Sequence, residues 1–160
     1  MPDAEPPVVV QRGLWYDELE VGTRYRHSPG RTISEADNTW FSAITMNQQA
    51  LHVDAVFAAE SEFGGRLVNS MMTLAVVVGL SANHLTQGTV VANLGFGQVR
   101  FPRPVRAGDT LRAETVVTDK RESRGREGQG IVTLQHYGYN QDDKLVVEAE
   151  RTVLWRMEPR

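Results

Sequence analysis

Residues 67–80 read LVNSMMTLAVVVGL, and this run decides the fold of the chain. A helix of this length has about four turns, and because it is apolar on nearly every side, other elements must cover it. The run is shorter than the roughly 20 residues that a bilayer requires, and Asn69, Ser70 and Thr73 interrupt it. We therefore predict a buried central helix and no membrane span.

Strand-like runs after this helix can supply its cover. Gly108 and Asp109 mark a turn, residues 140–143 mark another, and residues 124–128 form a longer hairpin loop. Short connections of this kind join antiparallel neighbours. The predicted strands are approximately residues 89–101, 110–121, 130–139 and 144–156.

A strand and a short helix are predicted before the central helix. The strand would cover residues 24–33, and Ser34 and Asp37 then have the spacing of a capping box at a helix start. One face of that helix would carry the apolar side chains Trp40, Phe41 and Ile44.

Residues 45–54 read TMNQQALHVD and are predicted to form a polar loop. His52 in this loop is the candidate for acid–base chemistry, because imidazole titrates near neutrality. Asp54 precedes an alanine-rich run and is expected to cap a second short helix. Surface or sheet-face positions are expected for the other histidines, His27, His84 and His136.

The composition indicates one globular domain with an ordinary core, since 160 residues are 41% hydrophobic and 23% charged. A net charge of −3 gives no reason to expect nucleic acid as a partner. The absence of cysteine excludes disulfides and thiolate chemistry and favours a cytoplasmic location. We expect residues 1–12 to form a flexible tail and residues 13–160 to form the domain. No metal or other cofactor is predicted, because His52 and Asp54 lack further ligands at a convincing spacing.

The stretch FSAITMNQQALHVD at residues 41–54 resembles the hydratase motif of MaoC-like dehydratases and R-specific enoyl-CoA hydratases. The similarity continues through residues 57–59, 63–64, 67–71 and 108–111. It implies an α+β hot-dog fold, in which one antiparallel sheet wraps around a long central helix. It also implies a homodimer or higher even oligomer, and syn addition or removal of water across the double bond of an acyl-CoA thioester.

The chain departs from that motif at informative positions. Where the family has a glycine, a catalytic aspartate, an asparagine and a proline, this chain has Met46, Asn47, Gln49 and Ala50. Only His52 matches the catalytic pair. The pattern Met-Asn-x-Gln-x-Leu-His, followed by Leu-Val-Asn-Ser, is similar to a branch that includes mesaconyl-CoA and itaconyl-CoA-type hydratases. That branch handles short, branched acyl groups with a second carboxylate.

Hydration of an enoyl thioester requires a held water, a proton acceptor and stabilisation of charge on the thioester oxygen. His52 can transfer the proton, and Asn47 can position the water through its amide. The backbone N–H groups of Ser70 and Met71, at the amino end of the central helix, can face the thioester oxygen.

Substrate binding calls for further polar groups. Asn69 is expected either to bind substrate or simply to cap the helix, and Arg66 is the candidate cation for a second carboxylate. Two clusters of basic residues are candidates for binding the CoA phosphates. One is Arg100, Arg103 and Arg106, and the other is Lys120, Arg121, Arg124 and Arg126. The alternative for both clusters is that they are solvent-exposed surface without a binding role.

Two alternatives to a hydratase remain open at the level of sequence. A hot-dog thioesterase would need a base to activate water at the thioester carbon, and Asp37, Asp54 and Glu62 are the available carboxylates. A non-catalytic acyl-CoA-binding subunit would explain why Asn47 replaces the catalytic aspartate.

Overall fold

The structure is a computed structural model, and it describes residues 5–159. One turn of 3₁₀ helix at Tyr16–Glu18 precedes the sheet, and a π-helical turn at Ala82–Thr86 follows the longest helix. The strands and α-helices, in chain order, are β1 (Arg24–Arg26), β2 (Arg31–Thr32), α1 (Glu35–Ile44), α2 (Ala50–Val53), α3 (Ala55–Glu60), α4 (Ser70–Leu80), β3 (Val90–Arg100), β4 (Thr110–Glu122), β5 (Gln129–Tyr139) and β6 (Leu145–Arg156).

The strands form one antiparallel sheet in the order β1-β4-β5-β6-β3, with β2 paired to the far end of β4. Helix α4 lies against this sheet and contacts β4, β5 and β6. The predicted α+β arrangement, a sheet wrapped around a central helix, is therefore confirmed. The strands predicted after the helix are confirmed to within two residues at each end.

The prediction of one continuous strand over residues 24–33 is wrong, because residues 27–30 are not part of a strand. The segment is split into β1 and β2, which both pair with β4. The residues between them include Pro29, which has no N–H to donate to a neighbouring strand. The chain therefore leaves the ladder after His27, whose N–H still donates to Ala113 O at 3.0 Å.

The polar loop predicted over residues 45–54 is shorter than expected, because its second half is helix α2. His52 consequently lies on one turn of helix and not in a loop. The cap predicted at Asp54 is confirmed: its Oδ1 accepts hydrogen bonds from the N–H groups of Val56 at 2.9 Å and Phe57 at 3.0 Å.

Helix α1 begins at the predicted capping box, its apolar side chains Trp40, Phe41 and Ile44 share one face as predicted, and its buried side chains are polar. Ser34 Oγ accepts from Asp37 N–H at 3.1 Å, and Asp37 Oδ2 accepts from Ser34 N–H at 2.8 Å. The buried side chains of the helix are Asn38 and Ser42, whereas Trp40 and Ile44 are 70% and 72% exposed. The polar face points inward because Asn38 hydrogen-bonds to the chain at residues 52, 67 and 69.

The interior contains two apolar clusters. One lies beneath α4 and joins the helix to the ends of β4 and β6 through Met72, Val77, Leu111, Ala113, Val146 and Val147. The other joins the 3₁₀ and π-helical turns to the middle of the sheet through Tyr16, Leu19, Leu85, Leu134, Val153 and Trp155. On the inner face of β4, Thr115 lies between Ala113 of the first cluster and Val117 of the second.

A chain of polar side chains runs through this gap between the clusters. His84 Nδ1 lies 3.3 Å from His27 Nδ1, His27 Nε2 lies 2.8 Å from Thr115 Oγ1, and Thr115 Oγ1 lies 2.9 Å from His136 Nδ1. His27 and His136 are both buried beside Thr115 of β4, so of the two positions predicted for them, surface or sheet face, they take the sheet face. Burial lowers the pKa of His27 to about 4 and that of His136 to about 3.

The chain joins the fold at Gly13, whose N–H donates to Gln87 O at 2.7 Å. Residues 5–12 before it are exposed and outside regular secondary structure. The remainder of the predicted tail, residues 1–4, lies outside the described residues. Within residues 5–159, none of the helices is both long and apolar enough to cross a membrane.

We expect the protein to lose stability between pH 6.5 and 5. The unfolded chain protonates its histidines below about pH 6.5, whereas His27 and His136 stay neutral in the fold until their lowered pKa values near 4 and 3. Because the unfolded state then binds more protons, the free energy of unfolding falls with pH, by up to about 1.4 kcal/mol per unit for each histidine. Urea unfolding across this range measures the slope.

The variant His136→Asn tests the assignment, because the Asn amide can keep a hydrogen bond to Thr115 but cannot titrate. We expect it to halve the slope between pH 6.5 and 5, a range in which carboxylates of ordinary pKa stay ionised. An unchanged slope in the folded variant would show that His136 is not a source of the acid sensitivity.

Candidate active site

The turn between α1 and α2 is fixed by Asn47. Its N–H donates to Ser42 O at 3.0 Å, and its side-chain Oδ1 accepts from Gln49 N–H at 3.2 Å. The preceding residue, Met46, has a φ of 56° and is exposed. This is the left-handed region, which favours glycine, and it is the position at which the resembled motif has one. The turn therefore takes a left-handed backbone at Met46, a residue that is not glycine.

The side chain of Asn47 can hold a water or a substrate, but a neutral amide cannot take a proton from it. Its Oδ1 accepts one hydrogen bond within the turn and keeps a second lone pair, and its Nδ2 can donate. Asn47 and His52 are both half-buried, and no hydrogen bond joins them within residues 5–159. The two predicted site residues thus flank the start of α2 as separate groups.

The imidazole of His52 is held by a main-chain carbonyl. Its Nδ1 lies 3.0 Å from Leu67 O. Since a carbonyl oxygen can only accept, Nδ1 carries the hydrogen in this bond and Nε2 of the neutral ring keeps its lone pair. The arrangement leaves Nε2 as a proton acceptor, which is the role that the sequence predicted for this side chain.

The amino end of α4 begins directly beyond Leu67. Asn69 caps the helix, with its Oδ1 accepting from Met71 N–H at 3.0 Å. The predicted donor at Met71 is therefore already engaged in the cap. Ser70 N–H makes no hydrogen bond within the part of the chain that the structure describes, and Ser70 is exposed. Of the two predicted donors, Ser70 is thus the one that can reach a substrate oxygen.

Asn69 is 1% exposed. Its Nδ2 is buried and has no hydrogen-bond partner within residues 5–159. The capping role considered for Asn69 is confirmed by its bond to Met71.

Arg66 lies beside this region and is already paired. Its Nη2 donates to Glu35 Oε2 at 2.6 Å, and the arginine side chain is 28% exposed. The ion pair connects the segment before α4 to the first turn of α1. A substrate carboxylate would have to share the guanidinium with Glu35.

The two basic groups considered for CoA phosphates are partly engaged elsewhere. Arg100 pairs with Glu148, and Arg103 and Arg106 donate to the main-chain carbonyls of Leu145 and Phe63. In the other group, Lys120 donates to Tyr16 O at 3.0 Å and Leu19 O at 2.6 Å and lies over the Tyr16 ring. Lys120 is therefore a structural residue.

An apolar groove of about 510 Å³ runs between α1 and α4. Apolar side chains on the exposed face of α1 form one wall of the groove, and apolar side chains of α4 form the other. The main lining residues are Trp40, Phe41, Ile44, Met72, Val76 and Leu80. No group of three or more metal-ligating side chains occurs among residues 5–159.

Asn38 is the site residue that the sequence did not indicate. Its side chain hydrogen-bonds to His52 O, to Leu67 O and to Asn69 N–H. It therefore contacts the helix that carries the candidate base, the carbonyl that orients this base, and the cap of α4. In the sequence, an asparagine four residues before a serine on a short helix predicts only an exposed polar face.

The chain is similar to known proteins in sequence and in fold. The sequence profile of the MaoC like domain matches residues 18–140. Mesaconyl-CoA hydratase of Cereibacter sphaeroides is 30% identical over 145 residues, which are 90% of this chain and 41% of that hydratase. The chain therefore spans about two fifths of the length of this relative.

Solved structures extend the comparison. The R-hydratase PhaJ1 of Pseudomonas aeruginosa superposes with a TM-score of 0.73 at 30% identity, over 92% of this chain and 88% of that one. A Mycobacterium tuberculosis protein described as having a double hotdog fold superposes with a TM-score of 0.82 at 27% identity, over 92% of this chain and 45% of that one. This chain has a hot-dog fold and belongs to the family of MaoC-like domains.

Proposed function

We propose that this protein adds water to, or removes it from, the double bond of an enoyl-CoA thioester. The observation that carries the proposal is the bond from His52 Nδ1 to Leu67 O, because it leaves Nε2 free to accept a proton. In hydration, the water oxygen bonds to the β-carbon while His52 Nε2 takes the water's proton. The electron pair of the double bond moves toward the thioester, and negative charge develops on its oxygen.

The start of α4 is suited to that charge. Ser70 N–H points out of the first turn without an internal partner in the described chain, and the helix dipole adds positive potential there. The proton held by His52 then bonds to the α-carbon, which restores the neutral imidazole and completes the addition. Because one base both takes and returns the proton, the hydroxyl and the hydrogen enter on the same face.

We further propose that the acyl group is short and carries a second carboxylate. The likeness to mesaconyl-CoA hydratase supports this assignment. So does Asn47, whose free Nδ2 can donate to a carboxylate and whose neutrality avoids repelling it. Arg66 is the proposed cation for the same carboxylate, with Glu35 giving up part of its ion pair.

Two copies of this chain are proposed to act together, as a homodimer or a higher even oligomer. Strand β3 ends the sheet, pairs only with β6 and exposes Leu94 and Phe96. An exposed, partly apolar edge is a ready site for pairing. The double hot-dog relative has about twice this chain's length, which supports the view that a second copy replaces its other half. We also propose residues 13–160 as the domain and the cytoplasm as its location.

The assay that tests the function uses crotonyl-CoA, mesaconyl-CoA and itaconyl-CoA. Hydration removes the enoyl absorbance, thioester hydrolysis releases a free thiol, and a binding protein does neither. We expect hydration, with a higher kcat/KM for a dicarboxylic substrate. Thiol release would instead support the thioesterase alternative.

His52→Ala should lower the hydration rate by about two to four orders of magnitude, because that is the usual contribution of an acid–base group. Circular dichroism checks the fold of the variant. Gln48→Ala is the matched control, since Gln48 is an exposed neighbour in the same segment. Undiminished activity in folded His52→Ala would remove this histidine from the mechanism.

Asn47→Ala should lower activity, and Asn47→Asp should change substrate preference. A carboxylate at this position would repel a dicarboxylic acyl group, so the Asp variant should gain preference for crotonyl-CoA over mesaconyl-CoA even if its absolute rate falls. The ratio of kcat/KM for the two substrates, in both proteins, measures the effect. An unchanged or reversed ratio contradicts the electrostatic explanation, and full activity in Asn47→Ala makes the residue a part of the turn alone.

Light scattering at micromolar concentration should give a mass of at least two chains. Phe96→Arg should shift the protein toward the monomer by placing charge on the β3 edge, whereas Val21→Arg should not. Val21 is also an exposed apolar residue, but it lies before β1 at the opposite end of the sheet. A wild-type protein that is purely monomeric contradicts this assembly.

A further inference from the structure

We infer that Asn38 is a positioning residue that keeps His52 in its working tautomer and in register with the start of α4. The inference rests on the proposed function, since it concerns the geometry of the proposed base. Asn38 lies in the second turn of α1, is 3% exposed, and is not part of the segment that resembles the hydratase motif.

One main-chain carbonyl orients the imidazole of His52. Leu67 O accepts from His52 Nδ1 at 3.0 Å and from Asn38 Nδ2 at 3.1 Å. A carbonyl oxygen has two lone pairs, so both bonds can form together. Asn38 therefore holds the acceptor that determines which ring nitrogen of His52 carries the hydrogen.

Asn38 also bonds to the backbone on either side of the site. Asn38 Nδ2 also lies 3.3 Å from His52 O, a longer and weaker bond. Its Oδ1 accepts from Asn69 N–H at 2.8 Å. One amide thus joins the helix that carries the base to the residue that caps α4, immediately before the free Ser70 N–H. The proposed base and the proposed oxyanion donor are held at a fixed separation by this amide.

Asparagine suits this position better than aspartate or alanine. The position requires two donated hydrogens and one acceptor at short reach, and an uncharged asparagine side chain supplies this set. Aspartate would keep the acceptor for Asn69 but lose the donors and place a carboxylate against two carbonyl oxygens. Alanine would lose all three bonds. A role limited to satisfying buried backbone groups predicts lost stability alone, whereas a positioning role also predicts an altered His52.

Two measurements separate these roles. The first is ¹⁵N NMR of the imidazoles, with His52→Ala used to assign the His52 signals. We expect wild-type His52 to carry its hydrogen on Nδ1, and we expect the Nε2–H form to increase in Asn38→Ala and Asn38→Asp. The second is steady-state hydration, in which kcat should fall by about 10- to 100-fold, the usual effect of groups that orient an active residue, with KM changing less than about threefold.

Thr39→Ala is the control, because Thr39 is the adjacent exposed residue and its hydroxyl donates only to Glu35 O on the same helix. It should leave both the tautomer and kcat unchanged. A folded Asn38→Ala with wild-type kcat and wild-type tautomer overturns the inference, even if its melting temperature falls. A change confined to KM overturns it as well.

The tautomer readout also separates this inference from the proposed function. If the wild type hydrates none of the three thioesters, the proposed function fails, and the NMR comparison still decides whether Asn38 holds His52. If both Asn38 variants fail to fold, the tautomer of His52 in the wild type decides by itself. The Nε2–H tautomer overturns the inference, and the Nδ1–H tautomer supports it.

Discussion

Covering α4 is the constraint on which the rest of the structure depends. The helix is apolar on nearly every side, and each large side chain that it buries contributes roughly 1.5–3 kcal/mol. The sheet covers one side through Met72 and Val77. The other side faces α1, which leaves the groove lined by Trp40 and Ile44. This layering brings the segments before α4 together at the amino end of the helix, where the candidate site lies.

The site is held by buried polar groups, which are costly to bury unless they are hydrogen-bonded. Asn38 satisfies backbone groups at residues 52, 67 and 69 at once. The result is a rigid connection between elements that share no sheet ladder. A second polar chain, from His84 to His136, crosses the interior between the two apolar clusters. The burial of this chain keeps His27 and His136 neutral, and so makes the fold sensitive to acid.

Much of the fold was predictable because its signals are local. The apolar run of α4, the alternation of β4 to β6, the capping box at Ser34 and the cap at Asp54 depend on residues close together in sequence. The inward direction of Asn38 was not predictable, since its partners lie 14 to 31 positions away. The burial of His27 likewise depends on cross-strand neighbours on β4. The break between β1 and β2 could have been inferred from Pro29.

Within the site, the structure at Met46 and His52 likewise depends on contacts that the sequence does not reveal. The left-handed backbone at Met46 costs roughly 1–2 kcal/mol for a residue with a side chain. It persists because Asn47 fixes the turn from both its main chain and its side chain. The sequence indicated His52 as the candidate base from its chemistry. The carbonyl that sets its tautomer belongs to Leu67, an apolar residue whose side chain gives no sign of that role.

The amide of Asn47 determines how protons can move in the proposed reaction. A neutral amide holds a water or a substrate by hydrogen bonds but neither takes up nor releases a proton, so Asn47 cannot share proton transfer with His52. A single base then serves both steps, and addition on one face follows. A carboxylate in the same place would sit close to a second carboxylate on the acyl group. Two like charges about 4 Å apart repel by about 4 kcal/mol at an effective dielectric constant of about 20. A neutral amide avoids that repulsion, but the site then lacks a second group that can carry a proton. This exchange is consistent with a dicarboxylic substrate.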